Sequence, residues 1–64
     1  MGWTADELLV RRLARRAGLT LARTRDSGGD TAYRLLDRLT RQPLQPDVPM
    51  ELKEAREECR ARLK

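Results

Sequence analysis

Residues 18–37 constrain the fold of this chain most strongly, because two short runs of strand-forming residues flank a loop. In the first run, residues 19–25, leucines alternate with threonine and alanine, which is the period-2 pattern of a half-buried strand. The loop, residues 26–30, reads Asp-Ser-Gly-Gly-Asp, a composition typical of turns. If residues 31–37 also form a strand, the sequence predicts an antiparallel hairpin at the centre of the chain.

The run that follows the loop has two interpretations. Its apolar residues recur at the i, i+3, i+4, i+7 spacing of a helix, with Asp30 as N-cap, and this interpretation gives an all-α three-helix arrangement. The same residues fit a strand with Tyr33 and Leu35 facing inward, followed by a turn at residues 38–41 and a short strand at residues 43–45. Periodicity alone favours the helix.

Residues 3–17 carry clear signals for an N-terminal helix. Thr4 and Glu7 are spaced as a capping box, in which each side chain accepts a hydrogen bond from the backbone N–H of the other residue. Trp3 and Leu8 hold the positions of a hydrophobic staple, and the glycine after this segment suits the left-handed residue that ends a helix. The predicted buried stripe consists of Leu9, Val10, Leu13, Ala14 and Ala17.

The C-terminal third of the chain predicts a second helix. Prolines at positions 43, 46 and 49 make a helix-free connector, and residues 50–64 follow with charged side chains on most faces. The narrow apolar stripe of this helix consists of Leu52, Ala55, Cys59 and Leu63. Such a weak stripe either docks lightly on the sheet or meets a second copy of the chain. We predict that these four residues form a protein interface.

The central part of the chain resembles a recurrent uncharacterised family of small actinobacterial and actinophage proteins. The family pattern is an Arg-rich helix, a GLxLxxxR strand, a loop of variable length, and a YxLxD strand followed by a Thr-Gly turn. The matching residues are Arg15, Arg16, Gly18, Leu19, Leu21, Arg23, Arg25, Tyr33, Leu35, Asp37 and Thr40. The resemblance covers about half of the chain. It carries no established activity.

The resemblance implies that residues 31–37 form a strand. The expected fold is therefore α+β, with an N-terminal helix, a two- or three-stranded antiparallel sheet and a C-terminal helix in one domain of residues 1–64. Arg41 departs from the family pattern, because it stands where the turn glycine is expected. A residue with a side chain would then have to adopt a left-handed backbone conformation.

The length of 64 residues allows only a small core. A domain this short buries only about 60% of the surface that its unfolded chain exposes, so we expect a homodimer or a complex with another molecule. Cys59 is the lone cysteine and histidine is absent, which excludes an intrachain disulfide and a zinc site. No apolar segment approaches the roughly 20 residues of a membrane span, and the N-terminus lacks a signal-peptide core. We expect a cytoplasmic protein without membrane contact.

The sequence offers little for catalysis, and we predict a protein that is not an enzyme, with no cofactor and no small-molecule substrate. Histidine, the usual proton shuttle, is missing. Cys59 has arginines nearby in the sequence but no base to activate it, so a small core residue is the simpler interpretation. Gly28 and Gly29 lack the strand–loop–helix context of a phosphate-binding loop and are better explained as a hairpin tip.

Arginine is the strongest functional signal. It supplies 12 of the 14 basic residues, and no acidic residue interrupts the stretch from Leu8 to Arg25. The planar fork of arginine binds phosphate oxygens bidentately, so this stretch predicts a nucleic-acid-binding surface on the first helix and the first strand. The predicted contacts are Arg11, Arg12, Arg15, Arg16, Arg23 and Arg25. Base stacking is not expected, because the two aromatic residues, Trp3 and Tyr33, are assigned to the helix cap and the core.

The alternative is a phage-type interaction module that binds or inhibits a host protein and acts as a homodimer. Its contacts would come from the C-terminal helix or from a free strand edge, since the unpaired backbone groups of an edge strand invite strand addition. The partner in this case is an acidic host protein rather than nucleic acid.

Overall fold

The computed structural model describes residues 2–44 and 48–64. Within these residues the chain forms two helices and a two-stranded sheet. The elements in chain order are α1 (Ala5–Arg16), β1 (Leu19–Arg25), β2 (Thr31–Asp37) and α2 (Leu52–Arg62). The predicted α+β class is confirmed. Residues 31–37 form a strand, and the all-α alternative is wrong. Neither helix in the described part of the chain is long and apolar enough to cross a membrane.

The N-terminal helix begins and ends where the sequence predicts. Thr4 Oγ1 accepts from the Glu7 amide at 3.2 Å, and Glu7 Oε1 accepts from the Thr4 amide at 2.7 Å, which completes the capping box. The chain leaves the helix through Gly18, whose φ of +78° is left-handed. Val10 on the predicted stripe is buried, but Leu9 is 57% exposed. Successive helical residues point about 100° apart, so Leu9 turns away from the sheet when Val10 faces it.

The two strands pair antiparallel and turn one face towards both helices. Leu21 lies opposite Leu35, and Arg23 lies opposite Tyr33. The leucines and the tyrosine join the core cluster, which also contains Val10 of α1 and small residues of α2. Because both helices cover the same face of the sheet, the core is a single layer between helices and strands.

The outer edge of β2 is paired with the segment that follows it. Leu44 N donates to Leu35 O at 3.0 Å, and Pro43 forms an isolated bridge with Leu36. Further along, Tyr33 N donates to Met50 O at 2.8 Å. The predicted third strand at residues 43–45 is therefore reduced to a bridge at its first residue, and residue 45 lies outside the described residues.

The second helix packs within its own chain, which corrects the predicted protein interface. Ala55 and Cys59 are fully buried in the core cluster, where a second copy cannot reach them. Leu52 is half-buried against the same cluster, and Leu63 is exposed. The physical reason is size: small side chains on α2 let the helix approach the sheet closely, so a narrow stripe is enough to dock it.

The turn after β2 confirms the expected strain at Arg41. Asp37 Oδ1 accepts from the amides of Leu39 and Thr40 at 2.9 and 3.0 Å, and these bonds hold the pKa of the Asp37 carboxyl below its usual value. Arg41 N donates to Asp37 O at 2.8 Å, which closes the turn. Its φ of 62° lies in the left-handed region that favours glycine.

Replacing Arg41 by glycine will stabilise the protein. The left-handed conformation costs a residue with a side chain about 1–2 kcal/mol, and the greater freedom of glycine in the unfolded chain offsets about 0.5–1 kcal/mol of the gain. Thermal unfolding followed by circular dichroism should show Tm raised by a few degrees. The matched control is Arg41→Ala, which removes the same side chain but keeps the strained backbone. Equal stabilisation in both variants would show that the strain is not the cause.

Candidate nucleic-acid interface

The four arginines of α1 are exposed, as predicted. They are Arg11, Arg12, Arg15 and Arg16, and they lie outside the buried line of the helix that runs through Val10 and Ala14. Among the described residues, none of these four guanidinium groups forms an ion pair with a carboxylate. The helix therefore presents unneutralised positive charge to solvent.

The two arginines of β1 differ from each other. Arg25 is exposed, and its Nη1 lies 3.5 Å from the carbonyl oxygen of Gly29 in the hairpin loop. Arg23 pairs with Glu7, with Nη1 at 3.4 Å from Oε2. The stretch from Leu8 to Arg25 contains no acidic residue, but in the folded chain Glu7 pairs with Arg23. The positive charge of Arg23 is therefore only partly available to an external ligand.

Trp3 connects the arginines of the helix with those of the strand. The Cζ atoms of Arg11 and Arg23 each lie 4.8 Å from the centroid of the Trp3 ring, within the range of a cation–π contact. The ring thus lies against guanidinium groups, while Leu8, its predicted staple partner, remains exposed. Arg11 of α1 and Arg23 of β1 therefore meet at this ring, which links the arginines of the two elements. We name these residues the arginine surface: Arg11, Arg12, Arg15, Arg16, Arg23 and Arg25.

A buried carboxylate lies beneath this surface, although the sequence predicts only a capping role for it. Glu7 is only 3% exposed, and the Tyr33 hydroxyl donates to its Oε2 at 2.6 Å. Hydrogen bonds from the Thr4 amide and from Tyr33 lower the pKa of the Glu7 carboxyl. Burial and the bond to Glu7 raise the pKa of Tyr33. The available signal was the spacing, because Glu7 precedes Val10 by three residues and so shares its buried face.

Acid will destabilise the fold through Glu7. Its folded pKa lies below the unfolded value of about 4.3, so the ionised carboxylate stabilises the protein above that pH. This contribution is lost as the pH falls from about 4.3 through the lower folded pKa. Thermal unfolding from pH 2.5 to 7 should therefore show the wild type more stable than Glu7→Gln above about pH 5, with a difference that shrinks below pH 4. A constant difference across this range would contradict the proposed role of the Glu7 charge.

Arg38 extends the arginine surface beyond the six residues named above. A cleft of about 340 Å³ opens between the end of α1 and the turn after β2, and Arg15, Arg16 and Arg38 line it together with Asp37. This contact depends on the antiparallel pairing that brings the end of β2 to the start of β1.

The backbone of β1 leaves one edge of the sheet open beside the arginine surface. Arg38 N donates to Gly18 O at 3.1 Å, and at the other end Asp26 N donates to Asp30 O at 2.9 Å. The alternation of an antiparallel ladder then assigns the even-numbered residues to bonds with β2. The N–H and C=O groups of odd-numbered residues in 19–25 point outward, and within the described chain no backbone hydrogen bond reaches them.

Two other predicted features fall in the core. Tyr33 is buried and bonded to Glu7, so it is not a stacking platform for bases. Burial raises the pKa of the Cys59 thiol, with a smaller contribution from the Glu58 charge. The neutral thiol is the less nucleophilic form, which fits a packing role for Cys59.

Comparison with known proteins finds no relative of this chain. The family resemblance noted from the sequence remains a prediction. No protein-family model, no curated protein and no solved structure matches this chain.

Proposed function

We propose that this protein is a small, non-enzymatic module that binds nucleic acid through its arginine surface. The observation that carries the proposal is the link between the two elements: the guanidinium groups of Arg11 in α1 and Arg23 in β1 meet at Trp3, and Glu7 is the one acid paired with the arginine surface among the described residues. Arginine suits this role because its planar fork matches the geometry of phosphate oxygens.

The expected mode of binding is contact with the phosphate backbone. Both aromatic side chains are engaged, Trp3 by two guanidinium groups and Tyr33 by Glu7, so base stacking contributes little. Phosphate contacts fix the position of a protein on nucleic acid but carry no sequence information. The affinity should therefore depend strongly on salt and weakly on sequence.

The test is a salt titration with defined oligonucleotides. Fluorescence anisotropy of a labelled 20-base-pair DNA duplex at 50, 100 and 200 mM NaCl should show log Kobs falling linearly with log salt. Four to six phosphate contacts predict a slope between about −3.5 and −5.5. A duplex of scrambled sequence should bind equally well. Absence of binding at 50 mM salt, or a slope near zero, would exclude the proposal.

A second candidate is favoured by the open edge of β1. An acidic, extended segment of a host protein could add a strand there, with its carboxylates beside Arg23 and Arg25. The probe is a synthetic peptide of alternating valine and glutamate. Arg25→Pro removes an outward N–H without touching the ladder to β2, so it should weaken this peptide much more than Arg25→Ala does. Equal effects of the two variants, together with the steep salt slope on DNA, would favour nucleic acid.

A further inference from the structure

The turn that follows β2 carries a highly exposed leucine. Leu39 is 90% exposed, which is more than any other large apolar residue in the described part of the chain. The turn that presents it is fixed, since Asp37 Oδ1 accepts from the Leu39 and Thr40 amides. Arg38 and Arg41 flank it. The turn therefore holds an exposed apolar side chain on a fixed backbone, with an arginine on either side in the sequence, and we name this feature the Leu39 knob.

An apolar groove lies between the outer edge of β2 and α2. It measures about 230 Å³, and its apolar lining consists of Leu35, Leu44, Val48, Pro49 and Met50. Val48 remains 54% exposed, so the described residues leave this lining open to solvent. Glu54 and Glu58 of α2 form an acidic rim.

The rim carboxylates keep capacity for a further cation. One oxygen of Glu54 accepts from the Glu51 amide at 3.2 Å as part of the helix cap. One oxygen of Glu58 accepts from Arg62 Nε at 3.3 Å in an exposed pair. Each carboxylate has a second oxygen, and an exposed pair of this kind contributes little on its own. An incoming guanidinium group can therefore bind at this rim.

We propose that the Leu39 knob of one copy of this protein inserts into the groove of a second copy. The two surfaces are complementary in both respects on which recognition depends: an apolar side chain meets an apolar groove, and flanking arginines meet an acidic rim. The volume is sufficient, because a cavity of about 150 Å³ already holds a benzene molecule. Two such insertions related by a twofold axis close a homodimer. This interface replaces the one predicted on α2, whose central residues are buried, and it does not rest on the proposed function.

The test is the oligomeric state across a dilution series. Sedimentation velocity from 1 μM to 1 mM should show reversible dimerisation of the wild type. Leu39→Asp should raise the dimer dissociation constant at least a hundredfold, because it would bury a carboxylate in an apolar groove beside acidic residues. Leu63→Asp is the matched control, since it changes another exposed leucine at the end of the predicted α2 stripe. A wild type that stays monomeric to 1 mM, or a Leu39→Asp variant that dimerises normally, would overturn the proposal.

A charge exchange identifies the pairing directly. Arg41→Glu and Glu58→Arg should each weaken self-association about tenfold, because each places like charges at both knob–groove contacts. An equimolar mixture should form a heterodimer with both contacts restored. If the mixture associates no better than either variant alone, the knob does not meet this rim. Circular dichroism of each variant checks that the exposed substitutions leave the fold intact.

Discussion

Reversing the charge of Arg12 and Arg16 to glutamate will weaken binding of a DNA duplex about a hundredfold at 50 mM salt. Each substitution removes one phosphate contact and adds one repulsion. At about 0.5–1 kcal/mol for each of these changes, the loss amounts to about 2–4 kcal/mol, which is roughly a hundredfold in Kd. The salt slope should also become shallower by about 2, because two fewer counterions are released.

The matched control reverses Arg56 and Arg60 on α2. This pair has the same i, i+4 spacing, its second member also lies in the last turn of a helix, and either pair lowers the net charge of +4 to zero. If net charge alone drives binding, both double variants lose affinity equally. If the arginine surface is the site, the α2 variant retains most of its affinity. An equal loss of affinity in both double variants would show that the arginine surface is not the binding site and that binding is non-specific electrostatic attraction.

Local signals in the sequence were sufficient for α1 and for the first strand. The capping box of Thr4 and Glu7 depends on residues three apart, and Gly18 acts within a single turn, so both can be inferred without knowledge of the fold. Their effects are local and do not depend on which elements pack together. The exposure of the α1 arginines followed directly from the position of the buried stripe.

The assignment of residues 31–37 could not be made from periodicity. The same apolar residues satisfy both the helical and the strand pattern, and tertiary pairing decides between them. Tyr33 exchanges backbone hydrogen bonds with Met50, and Leu35 accepts from Leu44. The bond from Leu44 fits the short strand that the hairpin interpretation places at residues 43–45, but Met50 lies beyond the reach of any local pattern. The resemblance to a known sequence pattern supplied the information that periodicity lacked.

The stripe on α2 and the role of Glu7 show a different limit. Small residues at Ala55 and Cys59 are compatible with a close helix–sheet contact inside one chain or between two chains, and sequence does not distinguish these. Glu7 was recognised as a cap, but its burial depends on Tyr33, which lies 26 residues away. Both errors concern which surfaces pack against each other. This packing is a property of the folded chain and not of a local segment.

Truncating Leu35 to alanine will have the largest effect on stability. Leu35 is 2% exposed and belongs to the core cluster, on β2 opposite Leu21 of β1. Loss of a buried leucine side chain costs about 2–5 kcal/mol, part of it from the cavity that remains. A domain of this length has a total stability of about 3–10 kcal/mol. The variant should therefore unfold at a Tm at least 10 °C lower or be unfolded at room temperature.

Leu9→Ala separates this effect from a general loss of apolar surface. Leu9 belongs to the predicted buried stripe, but it is 57% exposed, and alanine is the best helix former at such a site. Its Tm should change by only a few degrees. Thermal unfolding of both variants by circular dichroism, at a concentration where both are monomeric, measures the contrast. If Leu9→Ala were as damaging as Leu35→Ala, the core would lie between the helices rather than between the helices and the sheet, and the exposed face assigned to the arginines would have to be redrawn.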